Sequence, residues 1–172
     1  MAKKDSTEIK ELVSINGKDK ILMFRKLGDK TEAAKLALQT EHSWEYERDS
    51  DVTKTKDGAI TSDGGLETTL SIEAVSSRDA LNEMLKNSVV EGYKIEVWEI
   101  DLAGEQQGGK YPALYAIGRL TSWEVPSNVE DLETISTEMT IDGRPQAGYA
   151  TLSDAQKKEL IYAFKDTIAI TE

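Results

Sequence analysis

Alternation of apolar and polar residues dominates this chain, and helical periodicity is confined to two short stretches. The run Lys20 to Leu27 is short and strongly apolar and ends at Gly28-Asp29, which predicts a strand closed by a turn. Thr31 to Leu38 is rich in helix-favouring Ala and Leu, but Ala34, Leu36 and Leu38 run in phase with the alternation that follows, so it reads as strand. From Thr40 the pattern is clear. Thr40, His42, Trp44 and Tyr46 share one face, while Glu41, Ser43, Glu45, Glu47 and Asp49 share the other. Leu66 to Ala74 repeats it, with Leu70, Ile72 and Ala74 inward and Glu67, Thr69, Ser71 and Glu73 outward. Tyr93 to Leu102, Tyr111 to Val125 and Leu132 to Ile141 read as further strands, the last ending at an Asp142-Gly143 turn. Two segments follow helical spacing. One runs from about Arg78 to Val89 with Ser76 or Ser77 as its cap, and the other from Asp154 to about Lys165 behind a Ser153 to Gln156 capping box. Thr167 to Ile170 reads as a last strand.

Two stretches have little to bury. Residues 1–18 are mostly polar and charged and read as a flexible N-terminal arm that orders on a partner. Residues 49–65 carry Gly58, Gly64 and Gly65 among Asp, Thr, Ser and Lys, and read as a long mobile loop or hairpin tip. Several strands, two modest helices and no regular strand-helix-strand alternation predict one mainly β domain over residues 1–172, a sandwich or barrel with one flanking helix and a C-terminal helix.

Charge and composition narrow the chemistry. The 172 residues hold 21 Lys and Arg against 32 Asp and Glu, a formal net charge of −11, with one His and no Cys. Thiol nucleophiles, iron-sulfur clusters and thiolate zinc sites are excluded. So is a general grip on nucleic acid, which needs a cationic footprint. No run approaches the roughly 18 apolar residues of a membrane span, so no membrane partner is expected.

Motif-like stretches mostly dissolve on inspection. Gly104 to Lys110 matches the first seven positions of a phosphate-binding loop, but Tyr111 stands where Ser or Thr should hold magnesium, and a strand follows where a helix is needed. Asp49-Ser50-Asp51 opens like a calcium loop, yet Lys54 replaces its glycine and Ile60 its glutamate. His42 lies between Glu41 and Ser43, which point to the opposite face of a strand, so adjacency builds no relay. No catalytic residue, metal site or cofactor is expected. Trp44, Trp98 and Trp123 are core candidates, with Trp98 and Trp123 the alternatives for a sugar platform.

Four stretches carry a family likeness: Gln39 to Asp49 (QTEHSWEYERD), Thr55 to Gly58 (TKDG), Glu96 to Asp101 (EVWEID) and Ile141 to Gln146 (IDGRPQ). Together they resemble the major tail protein, or tail tube protein, of long-tailed siphophages of the lactococcal-phage type. The likeness spans roughly residues 17–155. It implies a β-sandwich with a flanking helix, made in the host cytoplasm and built into the virion tail as a structural protein without enzymatic activity. Its subunits would form hexameric rings stacked around a tape measure protein, join other tail proteins, and pass DNA without binding it specifically.

On that reading Glu41, Glu45, Glu47, Glu67 and Glu73 are candidates to face the lumen, where negative walls repel phosphates. Asp49, Asp51, Lys54, Lys56, Asp57, Gly58, Gly64 and Gly65 are candidates for a loop that contacts another subunit. A carbohydrate-binding β-sandwich is the competing class, and a carboxylate hydrolase comes third.

Overall fold

The structure, a computed structural model, describes residues 12–160. Eight strands form one antiparallel sheet: β1 (Lys20–Lys26), β2 (Ala34–Lys35), β3 (Gln39–Thr55), β4 (Gly58–Val75), β5 (Ile95–Asp101), β6 (Tyr111–Glu124), β7 (Thr134–Ile141) and β8 (Gln146–Ala150). The order is β2-β1-β5-β6-β7-β4-β3, with β8 paired to the first residues of β6. Two helices complete the described fold, α1 (Ala80–Glu91) and α2 (Asp154–Leu160). The mainly β class with a flanking and a C-terminal helix is what the residue pattern predicts.

Strand β6 is the spine because it changes partner halfway. Ala113 to Gly118 pair with β5, whereas Gly118 to Glu124 pair with β7. Gly118 stands at the crossover, where an added Cβ would lie 2.1 Å from the Thr140 carbonyl oxygen. Only glycine lets the two backbones approach so closely. The sheet curls about this point, so Leu22 and Phe24 of β1, Ile95 and Val97 of β5, Leu70 and Ile72 of β4 and Met139 of β7 enclose one core. Each full burial of such a side chain is worth about 1.5–3 kcal/mol. A second, smaller core of Ile21, Met23, Ile100, Tyr111 and Leu152 lies on the other face of β1 and β5, and the C-terminal segment covers it.

Helix α1 places Leu81 and Leu85 on the first core. Its cap is Asp79, whose carboxylate accepts from the Asn82 amide at 2.7 Å, and not Ser76 or Ser77. The Ser77 hydroxyl donates to that same carboxylate instead, so the charged acceptor takes the helix N-terminus. Gly92, with φ of 76°, closes the helix in the left-handed region. At α2 the expected capping box is present: Gln156 N donates to Ser153 Oγ and Ser153 N to Gln156 Oε1. The extension of that helix to Lys165 and the strand at 167–170 lie outside the described residues, as do residues 1–11 of the N-terminal arm. Within the arm, Leu12, Val13 and Ile15 are exposed, and a 3-10 turn at Gly17–Asp19 leads into β1.

Three elements differ from the residue-pattern reading. Thr31 to Leu38 supplies only a two-residue strand, because Leu38 turns the chain with φ of 53°. Strand β8 passes unseen in a sequence broken by Pro145 and Gly148. Residues 49–65 are not a long loop but the hairpin of the two readings: β3 and β4 remain paired to Thr55 opposite Gly58, leaving Lys56-Asp57 as a two-residue turn.

Candidate functional site

The five candidate glutamates come together. β3 and β4 pair with Glu41 opposite Glu73 and Glu47 opposite Glu67, while Glu45 stands opposite Thr69 between them. All five side chains are exposed and share one face. The face continues across β7 through Ser136, Glu138 and Thr140 to Glu124 of β6. Its one basic side chain among these rows, Arg119, turns aside to donate to the Gly92 carbonyl at the end of α1. Like charges directly opposed across a ladder destabilise a sheet, and a Lys in either position would relieve them. Two such pairs on one surface give a face whose charge works against the stability of the isolated protomer.

Behind that face, inward side chains of the same strand tie β3 to the far side of the core. Glu99 of β5, in phase with Ile95 and Val97, accepts from Trp44 Nε1 at 2.7 Å, pairs with His42 Nε2 at 2.6 Å and meets Lys20 Nζ at 3.1 Å. Gln39 Nε2 meets the other ring nitrogen of His42. Burial pushes the Glu99 carboxyl up, but the hydrogen bonds from His42, Trp44 and Lys20 outweigh it and hold the group down at about 2. This buried cluster fixes the outermost strand of the sheet, and hence the direction of its acidic face. A groove of about 700 Å³ opens beside it between β2 and β3.

The candidate contact residues lie on a projecting ribbon. β4 has its second partner, β7, only from Thr69 to Val75, so, among the described residues, 49–65 pair with nothing but one another. The ribbon starts at a bulge where Gly64 and Gly65 oppose the single residue Asp49; a Cβ on Gly64 would lie 2.6 Å from the Asp49 carbonyl oxygen. Arg48 and Asp63 clasp its base at 2.8 Å. Asp51, Lys54, Lys56, Asp57 and Gly58 line the outer part, all exposed. At roughly 3.3 Å per residue the arm reaches about 20–25 Å beyond the body. Val52 and Ile60 are 59% and 62% exposed and point to opposite sides, so the ribbon has no apolar face of its own. Two-stranded ribbons of this kind are marginal in water without a partner.

The competing sites fare differently. Trp98 is half-buried, with the Arg25 guanidinium 5.0 Å from its ring centre and Tyr115 at 5.1 Å, and Trp123 packs on the first core, so neither offers a flat open platform. The Gly104 to Lys110 stretch is a turn closed by a bridge between Gln107 and Lys110. Among the described residues no cluster of three His, Asp or Glu is arranged to hold a metal, and no helix is long and apolar enough to cross a membrane. Glu96, held by Arg25 and Tyr115, and the Glu99 cluster escaped the residue-pattern reading, although both glutamates lie among the apolar Ile95, Val97, Trp98 and Ile100 of one strand.

Comparison with known proteins assigns the architecture. The family model described as phage tail tube protein matches residues 14–147. The "Putative tail protein" of Staphylococcus phage phiMR25 is 31% identical over 159 residues, covering 88% of this chain and 82% of the relative. Among solved structures, the tail tube of SPP1 matches with a TM-score of 0.73 at 18% identity, over 92% of this chain and 95% of that one. The tail of an empty gene transfer agent particle, refined with helical C6 symmetry, matches at 0.61 and 12% identity, over 80% and 100%. The chain belongs to the phage tail tube protein family, as a structural component of the virion tail and not an enzyme.

Proposed function

We propose that this protein polymerises into stacked hexameric rings forming a hollow tail tube, lined by the acidic face, through which DNA leaves the virion. The observation that carries this reading is a pair of open strand edges on one layer. Among the described residues of the four-stranded unit β6-β7-β4-β3, β3 has no partner beyond β4, and residues 119–124 of β6 have none beyond β7. Open edges of this length invite pairing with another chain. Four antiparallel strands are an even number, so joining β3 of one protomer to β6 of the next keeps the alternation unbroken. Such a head-to-tail contact closes into a ring when its rotation is an integral fraction of a turn. Six copies, the symmetry of the gene transfer agent tail, would make one continuous barrel of strands.

Curvature then decides what the lumen sees. The apolar side of the layer is occupied by its own core and α1, so the polar side, with Glu41, Glu45, Glu47, Glu67 and Glu73, is the one free to face an axial channel. A wall of carboxylates keeps phosphates in solution and lets DNA slide. The 49–65 ribbon extends past the body and reaches the adjoining ring, where burial of Val52 and Ile60 stabilises it. A tape measure protein would occupy the channel before DNA, with other tail proteins at the tube ends.

Trypsin tests the contact arm. Lys54 and Lys56 are exposed on the ribbon, so they should be cut readily in dispersed protomer and at least tenfold more slowly in tubes identified by negative-stain microscopy. Equal rates in the two states would remove the ribbon from ring stacking.

A further inference from the structure

Two features unused by the fold occupy opposite edges of one end of the acidic layer. At the β3 edge stands Leu38, a leucine held at φ of 53° with its side chain 59% exposed. Non-glycine residues pay roughly 1 kcal/mol or more for that conformation, and nothing in the protomer requires a leucine there. It lines the groove beside β2 together with Leu36, Lys18, Lys20, Lys35, Glu41 and Glu99, and of these Lys20 is already paired with Glu99. At the β6 edge, residues 125–133 display Val129 and Leu132, 102% and 77% exposed.

That second segment is preorganised. Asn128 Oδ1 accepts from the amides of Glu130 and Asp131, both at 2.9 Å, and the Glu133 carboxylate accepts from Ser127 and Ser76 at 2.7 and 2.8 Å. A loop held this firmly while presenting two aliphatic side chains to water is built to meet a surface. Its acids, Glu130 and Asp131 with Glu124 just before it, complement Lys18 and Lys35 of the groove, whose third lysine, Lys20, is held by Glu99.

The ladder shows that both features lie at the same end. Val75 N donates to Leu38 O at 2.9 Å, Val75 pairs with Thr134, and Ser76 N donates to Glu133 O at 2.8 Å. In a head-to-tail ring the next protomer's β6 stands one strand spacing, about 4.8 Å, beyond β3. The loop that follows it would then border Leu38.

We propose that the 125–133 loop of one copy of this chain seats Val129 and Leu132 in the lysine-rimmed groove beside Leu38 of the next, as the side lock of the ring. This rests on the ring reading above and names the contact that closes it. The occupant is a second copy, because the complementary charge, the two apolar partners and their level on the sheet are all present in one chain.

The absence of cysteine makes the test clean, since two introduced thiols have only one another as partners. Leu38→Cys combined with Val129→Cys or Leu132→Cys should, after oxidation of preformed tubes, give a covalent ladder ending at the hexamer on non-reducing gels. Leu38→Cys with Val90→Cys, which pairs with an exposed site on α1, should give no ladder. Independently, Glu130→Lys with Asp131→Lys should reduce tube yield at least tenfold, and adding Lys18→Glu with Lys35→Glu should restore it. Wild-type tubes whose cysteine variants give no ladder, together with charge reversals that show no rescue, would overturn the lock while leaving the ring intact. Wild-type protein that never assembles would overturn the ring reading and the lock with it.

Discussion

Phage carrying Glu→Lys changes together at Glu41, Glu45, Glu47, Glu67 and Glu73 should build tails of normal length and then release DNA at least tenfold more slowly at low salt. All five side chains are exposed on a strand face, where substitution usually changes stability by no more than about ±0.5 kcal/mol. Glu41 with Glu73 and Glu47 with Glu67 are already like-charged pairs, so reversing both members introduces no new repulsion. The wall's field, by contrast, changes sign. Each protomer would go from repelling phosphate to holding it, and the effect repeats with every ring. Counterion release makes such binding steeply salt-dependent, so raising salt should recover much of the release rate. Unchanged release from normal tails at low salt would show the acidic face to be an ordinary solvated surface.

Glu99→Ala should be the most damaging single change to the protomer, lowering unfolding free energy by about 3–5 kcal/mol, the usual cost of breaking a buried charge network by removing one member. Lys20, His42 and Trp44 would lose their common acceptor, and β3 its link across the core. The wild-type protein should report the same group through pH. Its folded carboxyl titrates at about 2 against 4.5 for the free group, so its contribution is fully present above about pH 4.5. As pH falls through the interval down to 2 the contribution is lost, a total on the order of 3 kcal/mol. Urea unfolding of dispersed protomer at pH 7 and pH 3 should therefore show a gap between wild type and Glu99→Gln that narrows in acid. Parallel losses would place the pH sensitivity elsewhere.

The residue pattern made the acidic face legible because a strand's period of two puts every second side chain on the same side. Glu41 to Glu47 and Glu67 to Glu73 could be assigned to faces from local sequence alone. Their being neighbours could not, since pairing of β3 with β4 depends on a ribbon turn that buries nothing. In residues 49–65 the strands are held by backbone hydrogen bonds without an apolar face, so hydrophobic alternation vanished where strand structure persisted. The Asp57-Gly58 dipeptide was the available hairpin signal.

Glu99 was hidden differently. Its phase with Ile95 and Val97 puts it on a face that apolar residues mark as covered, but nothing in the strand itself names the partners a carboxylate there would need. Its partners come from residues 20, 42 and 44, a convergence visible only once the sheet has curled. Strand β8 owes its existence to the open flank of β6 and not to its own sequence.

Whether this layer closes side to side into a ring with its glutamates inward is decided by a helical reconstruction of purified tubes by electron cryo-microscopy. Six protomers per ring are expected, with β3 of each paired with β6 of its neighbour and Glu41, Glu45, Glu47, Glu67 and Glu73 lining the channel. A tube whose acidic face points outward, or whose rings leave the edges of β3 and β6 unpaired, would contradict it.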